Sequence, residues 1–243
     1  MMSKNNNIVI ILAAGKGTRM KSDLPKVLHP INNKPMLINV IEAAEKLNPS
    51  KIIIVIGYKK QLVIEALIDK KVVFIEQKKQ LGTGDAIKQC LPPLKGFHGN
   101  VLILSGDVPL IKTKTLLDFI TIHNSNNSNA SLISTNLKDP TGYGRIIKNN
   151  KNQLEKIVEH KDANKKELMI NEINSGIYIF GSDTMKDKIP LINNDNSQNE
   201  YYLPDIFNFI DKKDTAIYNI EDYNEISGVN TNSQLKELEK NIN

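Results

Sequence analysis

Short β-branched or leucine-rich runs alternate with amphipathic stretches through the first half of the chain. Runs 8–12, 52–56, 72–75 and 101–104 are each bounded by polar or glycine residues and predict buried strands. Between them, 36–47, 61–69, 84–90 and 113–123 carry helical spacing. This alternation predicts an α/β fold with a mostly parallel sheet covered by helices on both faces. Ligands of such sheets bind at the carboxyl ends of the strands. Gly15, Gly57 and the pair Gly106-Asp107 all fall just past the end of an expected strand.

The second half has a different texture. Segments 145–148 and 154–160 flank Asn149-Asn150-Lys151-Asn152-Gln153, a pattern that predicts a β-hairpin. A further buried strand is expected at 177–180, a helix at 202–210 and a surface helix at 231–243, where Leu235 and Leu238 stand among charges. The asparagine-rich stretches 123–129 and 193–199 read as solvated loops. There is no internal repeat and no linker that would cut the chain in two.

Composition narrows the function classes. Lys and Arg number 32 against 27 Asp and Glu in 243 residues, a net +5 that suits an anionic substrate. The excess is too mild, and too scattered, for a nucleic-acid-binding arm. The single cysteine, Cys90, excludes an intramolecular disulfide and a cysteine-based zinc site, and His29, His98, His123 and His160 show no metal-ligand spacing. No apolar run approaches transmembrane length and residues 1–7 lack a signal-peptide core, so a cytoplasmic chain with no membrane partner is expected.

The densest chemistry lies in Leu12-Ala13-Ala14-Gly15-Lys16-Gly17-Thr18-Arg19-Met20, followed by Pro25-Lys26. Ala13, Ala14, Gly15 and Gly17 carry almost no side chain, so backbone N–H groups can approach a ligand closely. Lys16, Arg19, Lys21 and Lys26 crowd positive charge around the same place, and amides plus cations after a strand suit a polyphosphate. A Walker A loop is excluded because Gly17 is followed by Thr18. A dinucleotide fingerprint fails because Met20 stands where the third glycine belongs.

The run from Leu12 to Met20 with Pro25-Lys26-Val27-Leu28 resembles the signature of sugar-nucleotide pyrophosphorylases. It is most similar to the uridylyltransferase part of bacterial N-acetylglucosamine-1-phosphate uridylyltransferases. Five further stretches match in order. They are Gln80-Leu81-Gly82-Thr83-Gly84, Gly106-Asp107-Val108-Pro109-Leu110, Pro140-Thr141-Gly142-Tyr143-Gly144-Arg145-Ile146, Val158-Glu159-His160-Lys161-Asp162-Ala163 and Glu172-Ile173-Asn174-Ser175-Gly176. The resemblance implies a Rossmann-like nucleotidyltransferase fold over 1–243. A nucleotide-binding part would span about 1–125, a hairpin-containing sugar-binding part about 126–230, and a terminal helix 231–243.

By the same resemblance the reaction joins UTP and N-acetylglucosamine-1-phosphate to give UDP-N-acetylglucosamine, a cell-envelope precursor, and pyrophosphate. Mg²⁺ is the implied cofactor, held by Asp107 and Asn230, and the implied catalytic residues are Arg19, Lys26 and Asp107. Nucleotide contacts fall on Leu12, Ala13, Ala14, Gly15, Lys26, Gln77, Gly82, Thr83, Ser105, Gly106 and Asp107. Sugar contacts fall on Gly144, Glu159, Asn174 and Asn230.

Each of these residues also has a plainer reading. Asp107 could cap a loop, Asn230 could sit in a turn or cap a helix, Thr83 could cap a helix, and Glu159 could be a surface charge on the hairpin. Asp85 departs from the family, which commonly has histidine there. An aspartate in a first helical turn suits the helix dipole, yet near a polyphosphate it would repel. Two alternatives therefore stay open: transfer to another sugar phosphate, or a non-catalytic sugar-nucleotide-binding subunit. Many relatives continue into a hexapeptide-repeat acetyltransferase, and nothing after Asn230 resembles such repeats, so no acetyltransfer is expected from this chain.

Overall fold

The computed structural model describes residues 6–240. In chain order the first half holds β1 (Asn7–Ala13), β2 (Pro30–Ile31), β3 (Lys34–Pro35), α1 (Met36–Glu45), β4 (Lys51–Ile56) and α2 (Lys60–Ala66). It continues with β5 (Val73–Glu76), α3 (Thr83–Gln89), β6 (Asn100–Ser105) and α4 (Thr113–Ser125). The second half holds β7 (Ala130–Asn136), β8 (Arg145–Lys148), β9 (Leu154–Val158) and β10 (Glu172–Gly181). It ends with α5 (Ser182–Lys188), β11 (Thr215–Asn219) and α6 (Asn232–Lys240).

Among the described residues nine strands form one mixed sheet in the order β11-β7-β10-β6-β1-β4-β5, with β8 paired to β10 and β9 to β8. The run β6-β1-β4-β5 is parallel, as the strand–helix alternation predicts. The long β10 is inserted antiparallel between β6 and β7, and through it the hairpin β8–β9 hangs from the sheet. Alternation along β1 divides the core. Val9, Ile11 and Ala13 pack under Leu37, Val40 and Ile41 of α1 and Leu116 and Phe119 of α4. Ile8 and Ile10 face the opposite way, toward Ala86 and Ile87 of α3 and Met185 of α5. Both faces are covered, so nearly every side chain within the central strands is buried, which is why these strands read as unbroken apolar runs.

The second half differs from its pattern. β7 and β11 are strands that periodicity does not reveal, and α5 follows β10 directly. β10 starts five residues before the expected 177, across the polar stretch Glu172 to Gly176. Segment 202–210 is a 3₁₀ turn, Leu203–Phe209, rather than an α-helix: its buried residues pair at i, i+3 (Leu203 with Ile206, Pro204 with Phe207), the spacing that three residues per turn stacks on one face. α4 runs into the asparagine-rich stretch and buries His123, whose Nδ1 lies 2.8 Å from Ser131 Oγ. The terminal helix is seen to Lys240. Residues 241–243 of the expected helix, and 1–5 of the polar N-terminus, lie outside the described residues. Among the described residues no helix is long and apolar enough to cross a membrane.

Candidate active site

The carboxyl ends of β1, β5 and β6 open into one cleft of about 710 Å³. Its floor is the loop after β1, and Leu12, Ala13, Ala14, Gly15, Lys16 and Gly17 all line it. Gly17 holds the left-handed region at φ 60°, and a Cβ there would sit 2.5 Å from Lys26 Cβ. Glycine is therefore required twice, for the backbone turn and for the stem of Lys26. Beyond it the 3₁₀ turn Thr18–Met20 is anchored by Met20, which is buried.

Gly106 lies just behind the cleft rather than on it. Its N–H donates to Leu12 O at 2.9 Å, fastening the end of β6 to the end of β1. Asp107 follows, and its carbonyl accepts from Val229 N at 2.9 Å, which brings the 228–230 turn against the cleft. The Asp107 carboxylate is ion-paired with Lys26, and both side chains are mostly buried. Lys26 Nζ also donates to Asn230 Oδ1 at 3.1 Å, and Arg19 Nη2 donates to the same oxygen at 2.9 Å. The helix-cap reading of Asn230 fails, since α6 starts at Asn232 and Thr231 Oγ1 is what accepts from Gln234 N.

Two oxygen donors thus converge on a single cationic nitrogen. A carboxylate plus a carboxamide oxygen is a hard-donor pair of the kind Mg²⁺ accepts beside phosphate and water, so the residues present fit a divalent cation. Among the described residues no cluster of three or more His, Cys, Asp or Glu offers an all-protein cage, which leaves the remaining ligands to substrate and solvent.

One wall of the cleft comes from the end of β5 and the start of α3. Gln77 is buried (3% exposed), and Gln80, Gly82 and Thr83 stand beside it. Gly82 has φ 113°, and a Cβ there would meet Tyr201 O at 2.5 Å and Tyr201 N at 2.7 Å. Residue 201 is laced to this turn, with Gly84 N donating to Tyr201 O and Tyr201 N donating to Leu81 O. Thr83 is no helix cap: its hydroxyl accepts from Leu203 N at 3.0 Å. Asp85 does not line the cleft. It sits in the first turn of α3, where the helix dipole favours its charge, and its carboxylate accepts from Gln77 Nε2 at 2.7 Å and Gln89 Nε2 at 3.1 Å.

A second cavity of about 190 Å³ shares Leu12, Thr83 and Ser105 with the first. Here the structure brings together Gly144, Glu159 and Asn174, which come from the loop before β8, the end of β9 and β10. A register break in β10 between Asn174 and Tyr178 carries Gly176 at φ 77° and turns this stretch into the cavity. Asn174 donates to Tyr178 Oη at 2.6 Å and accepts from Gly176 N at 3.3 Å. Burial pushes the Glu159 carboxyl up to about 7, and Asp205, Asp162 and Glu200 nearby reinforce the shift. Asn230 lies with Lys26 and Asp107 and does not line this cavity.

Residues that the sequence left unremarked also line the cleft. Lys78 and Lys79 add charge beyond β5, where their position after a strand end was a usable signal. Glu200 arrives from a remote loop, with no local signal at all.

The fold and site together define an α/β protein with a cation-lined cleft at the carboxyl ends of its parallel strands and a second cavity joined to it. The chain belongs to the nucleotidyl transferase family, whose model matches residues 8–224. It is 44% identical over 228 residues to a protein of Picosynechococcus sp. named bifunctional protein GlmU, covering 93% of this chain and 50% of that one. A protein of the same name from Clostridium botulinum is 45% identical over 234 residues, covering 96% and 51%. The chain therefore spans about half the length of the curated relatives it matches, in keeping with its resemblance to the uridylyltransferase part of a bifunctional enzyme. Among solved structures, a putative glucose-1-phosphate thymidylyltransferase from Bacillus anthracis aligns with a TM-score of 0.72 at 20% identity, covering 96% of this chain and 94% of that one. HddC from Yersinia pseudotuberculosis aligns at 0.68 and 22% identity, covering 97% and 99%. At these identities the structures speak for the fold alone.

Proposed function

We propose that this chain transfers uridylate from UTP to N-acetylglucosamine-1-phosphate, releasing pyrophosphate and forming UDP-N-acetylglucosamine for cell-envelope synthesis in the cytoplasm. The observation that carries this reading is the pair of joined cavities. A cation-lined phosphate cleft meets, through Leu12, Thr83 and Ser105, a cavity holding Gly144, Glu159 and Asn174.

The chemistry asks little of proton transfer. An anionic oxygen of the sugar phosphate attacks the α-phosphorus of UTP in line, and the bond to the β-phosphate oxygen breaks with pyrophosphate leaving. Backbone amides of residues 13–17 and the cations Lys16, Lys26 and Arg19 hold the triphosphate and absorb charge in the transition state. Asp107 and Asn230 would hold Mg²⁺, which supplies further charge neutralisation at the phosphates. Glu159, whose carboxyl burial pushes up to about 7, is able to donate to or accept from a sugar hydroxyl, and Asn174, held by Tyr178, shares the cavity with it.

The reading as a non-catalytic subunit loses support, because Asp85 was its only encouragement and Asp85 faces Gln77 rather than the phosphate loop. The experiment is pyrophosphate release over a panel of nucleoside triphosphates and sugar-1-phosphates. Turnover is expected with UTP and N-acetylglucosamine-1-phosphate, only with a divalent cation, and far better than with glucosamine-1-phosphate. The missing acetyl leaves polar groups unsatisfied at about 1–3 kcal/mol each. Equal kcat/KM for the two sugars would overturn the assignment of the second cavity, and no turnover with any pair would overturn the transferase.

A further inference from the structure

Resting on the proposed uridylyltransferase reading, we propose that Asp85 is a positioning residue that sets base selection by locking the Gln77 carboxamide with its oxygen toward the cleft. Gln77 is buried at the end of β5, its backbone N donating to Ile56 O at 2.8 Å and its carbonyl accepting from Gln80 Nε2 at 3.1 Å. Its side-chain NH₂ has two hydrogens, and both are spent. One goes to Gly82 O at 3.0 Å and the other to Asp85 Oδ2 at 2.7 Å.

A carbonyl and a carboxylate only accept. Turning the amide over would set Gln77 Oε1 against two acceptors, so the orientation is fixed by chemistry and not by choice of assignment. The bond to Asp85 is also charge-assisted, and so the stronger of the two. Asp85 is steadied in turn by Gln89 Nε2, one turn along α3, on its other oxygen. Gln77 Oε1 has no hydrogen-bond partner among the described residues, and Gln77 lines the cleft.

The cleft therefore presents a fixed acceptor and no amide donor at this point of its wall. Uracil and thymine carry an imino N–H at ring position 3, which such an acceptor takes. Cytosine carries a lone pair there, which it repels. With asparagine at 85 the lock is weakened, because a carboxamide is able to donate to Gln77 Oε1 and leaves only Gly82 O opposing the flipped amide. Alanine at 85 removes the charged partner and leaves the amide to Gly82 O alone.

The test is calorimetric titration of UTP and CTP into the wild type, Asp85→Asn and Asp85→Ala, each first shown to melt cooperatively. The wild type is expected to prefer UTP over CTP by tenfold or more, the scale of one mispaired polar group. Both variants are expected to narrow that ratio by roughly tenfold, chiefly through tighter CTP binding in Asp85→Asn. A merely structural aspartate would weaken both nucleotides alike. An unchanged UTP-to-CTP ratio in the two folded variants overturns the proposal. Because binding is read directly, a chain that discriminates the bases as described yet forms no product would overturn the transferase reading and not this one.

Discussion

Lys26 is ion-paired with Asp107, and the two side chains are only 16% and 17% exposed, so the free protein holds its candidate metal carboxylate under an ammonium group. A divalent cation and Lys26 then compete for the same oxygen, and substrate phosphate gives the displaced ammonium a new partner. Lys26→Ala is expected to lower turnover a hundredfold or more and weaken UTP binding, the scale seen when one preorganised charge is removed. The half-saturating Mg²⁺ concentration should fall at the same time, because the internal competitor is gone. Initial rates over a Mg²⁺ series measure both effects. An unchanged Mg²⁺ dependence would mean that the pair is broken before metal arrives.

Asp107→Asn should abolish turnover while the fold survives. The backbone carbonyl that holds Val229 N is kept, and the carboxamide still accepts from Lys26. What is lost is the anionic ligand that would hold the divalent cation against the phosphates, about 3–4 kcal/mol of transition-state stabilisation. Pyrophosphate release and a thermal melt, run together, separate the two claims. Substantial turnover at saturating Mg²⁺ would remove Asp107 from the mechanism.

Gly82→Ala tests the lacing between residue 201 and the base wall. The φ of 113° is one that alanine rarely adopts, and its methyl would press on Tyr201 backbone, which has no rotamer to yield. A loss of about 2–3 kcal/mol is expected in denaturant unfolding, with weakened nucleotide binding. Native-like values in both would show that the 199–202 segment is free to move away.

The apolar half of the molecule was legible and the polar half was not, for a physical reason. β1, β4 and β6 bury both faces, one in each of the two core clusters, so their sequence is apolar between the strand ends. β7 buries Ser131, Ser134 and Thr135 as fully as any leucine, which no periodicity anticipates. Those hydroxyls are satisfied by partners on other segments of the chain: His123 Nδ1, Glu172 Oε1 at 2.7 Å and Ile220 O at 2.6 Å. The site divides in the same way. The glycine loop and Asp107 follow strand ends and announce themselves. Glu200 reaches the cleft through a tertiary approach, and the Gln77–Asp85 bond depends on how the turn at Gly82 is folded.

Glu159 should leave its mark on stability against pH. Its carboxyl rests near 7 in the folded chain, against 4.5 when unfolded, because burial and then Asp205, Asp162 and Glu200 disfavour its charge. Below about pH 4.5 both states are protonated and the group is neutral to stability. Between 4.5 and 7 the unfolded chain releases this proton and the folded chain keeps it, so stability falls as pH rises; above 7 the penalty is constant. Asp205, pushed up to about 6 by burial and Asp162, acts in the same direction. His123 acts oppositely: burial lowers it to about 4, so the folded state gains stability as pH rises from 4 toward 6.5. The wild-type profile therefore mixes opposed slopes, and the informative quantity is the difference between wild type and Glu159→Gln, from which His123 cancels. That variant is expected to gain on the wild type steadily from pH 5 to 7 in denaturant unfolding and to hold its advantage at pH 8. A difference that stays flat across this range would mean that Glu159 meets water freely, and would also withdraw the neutral carboxyl from sugar recognition.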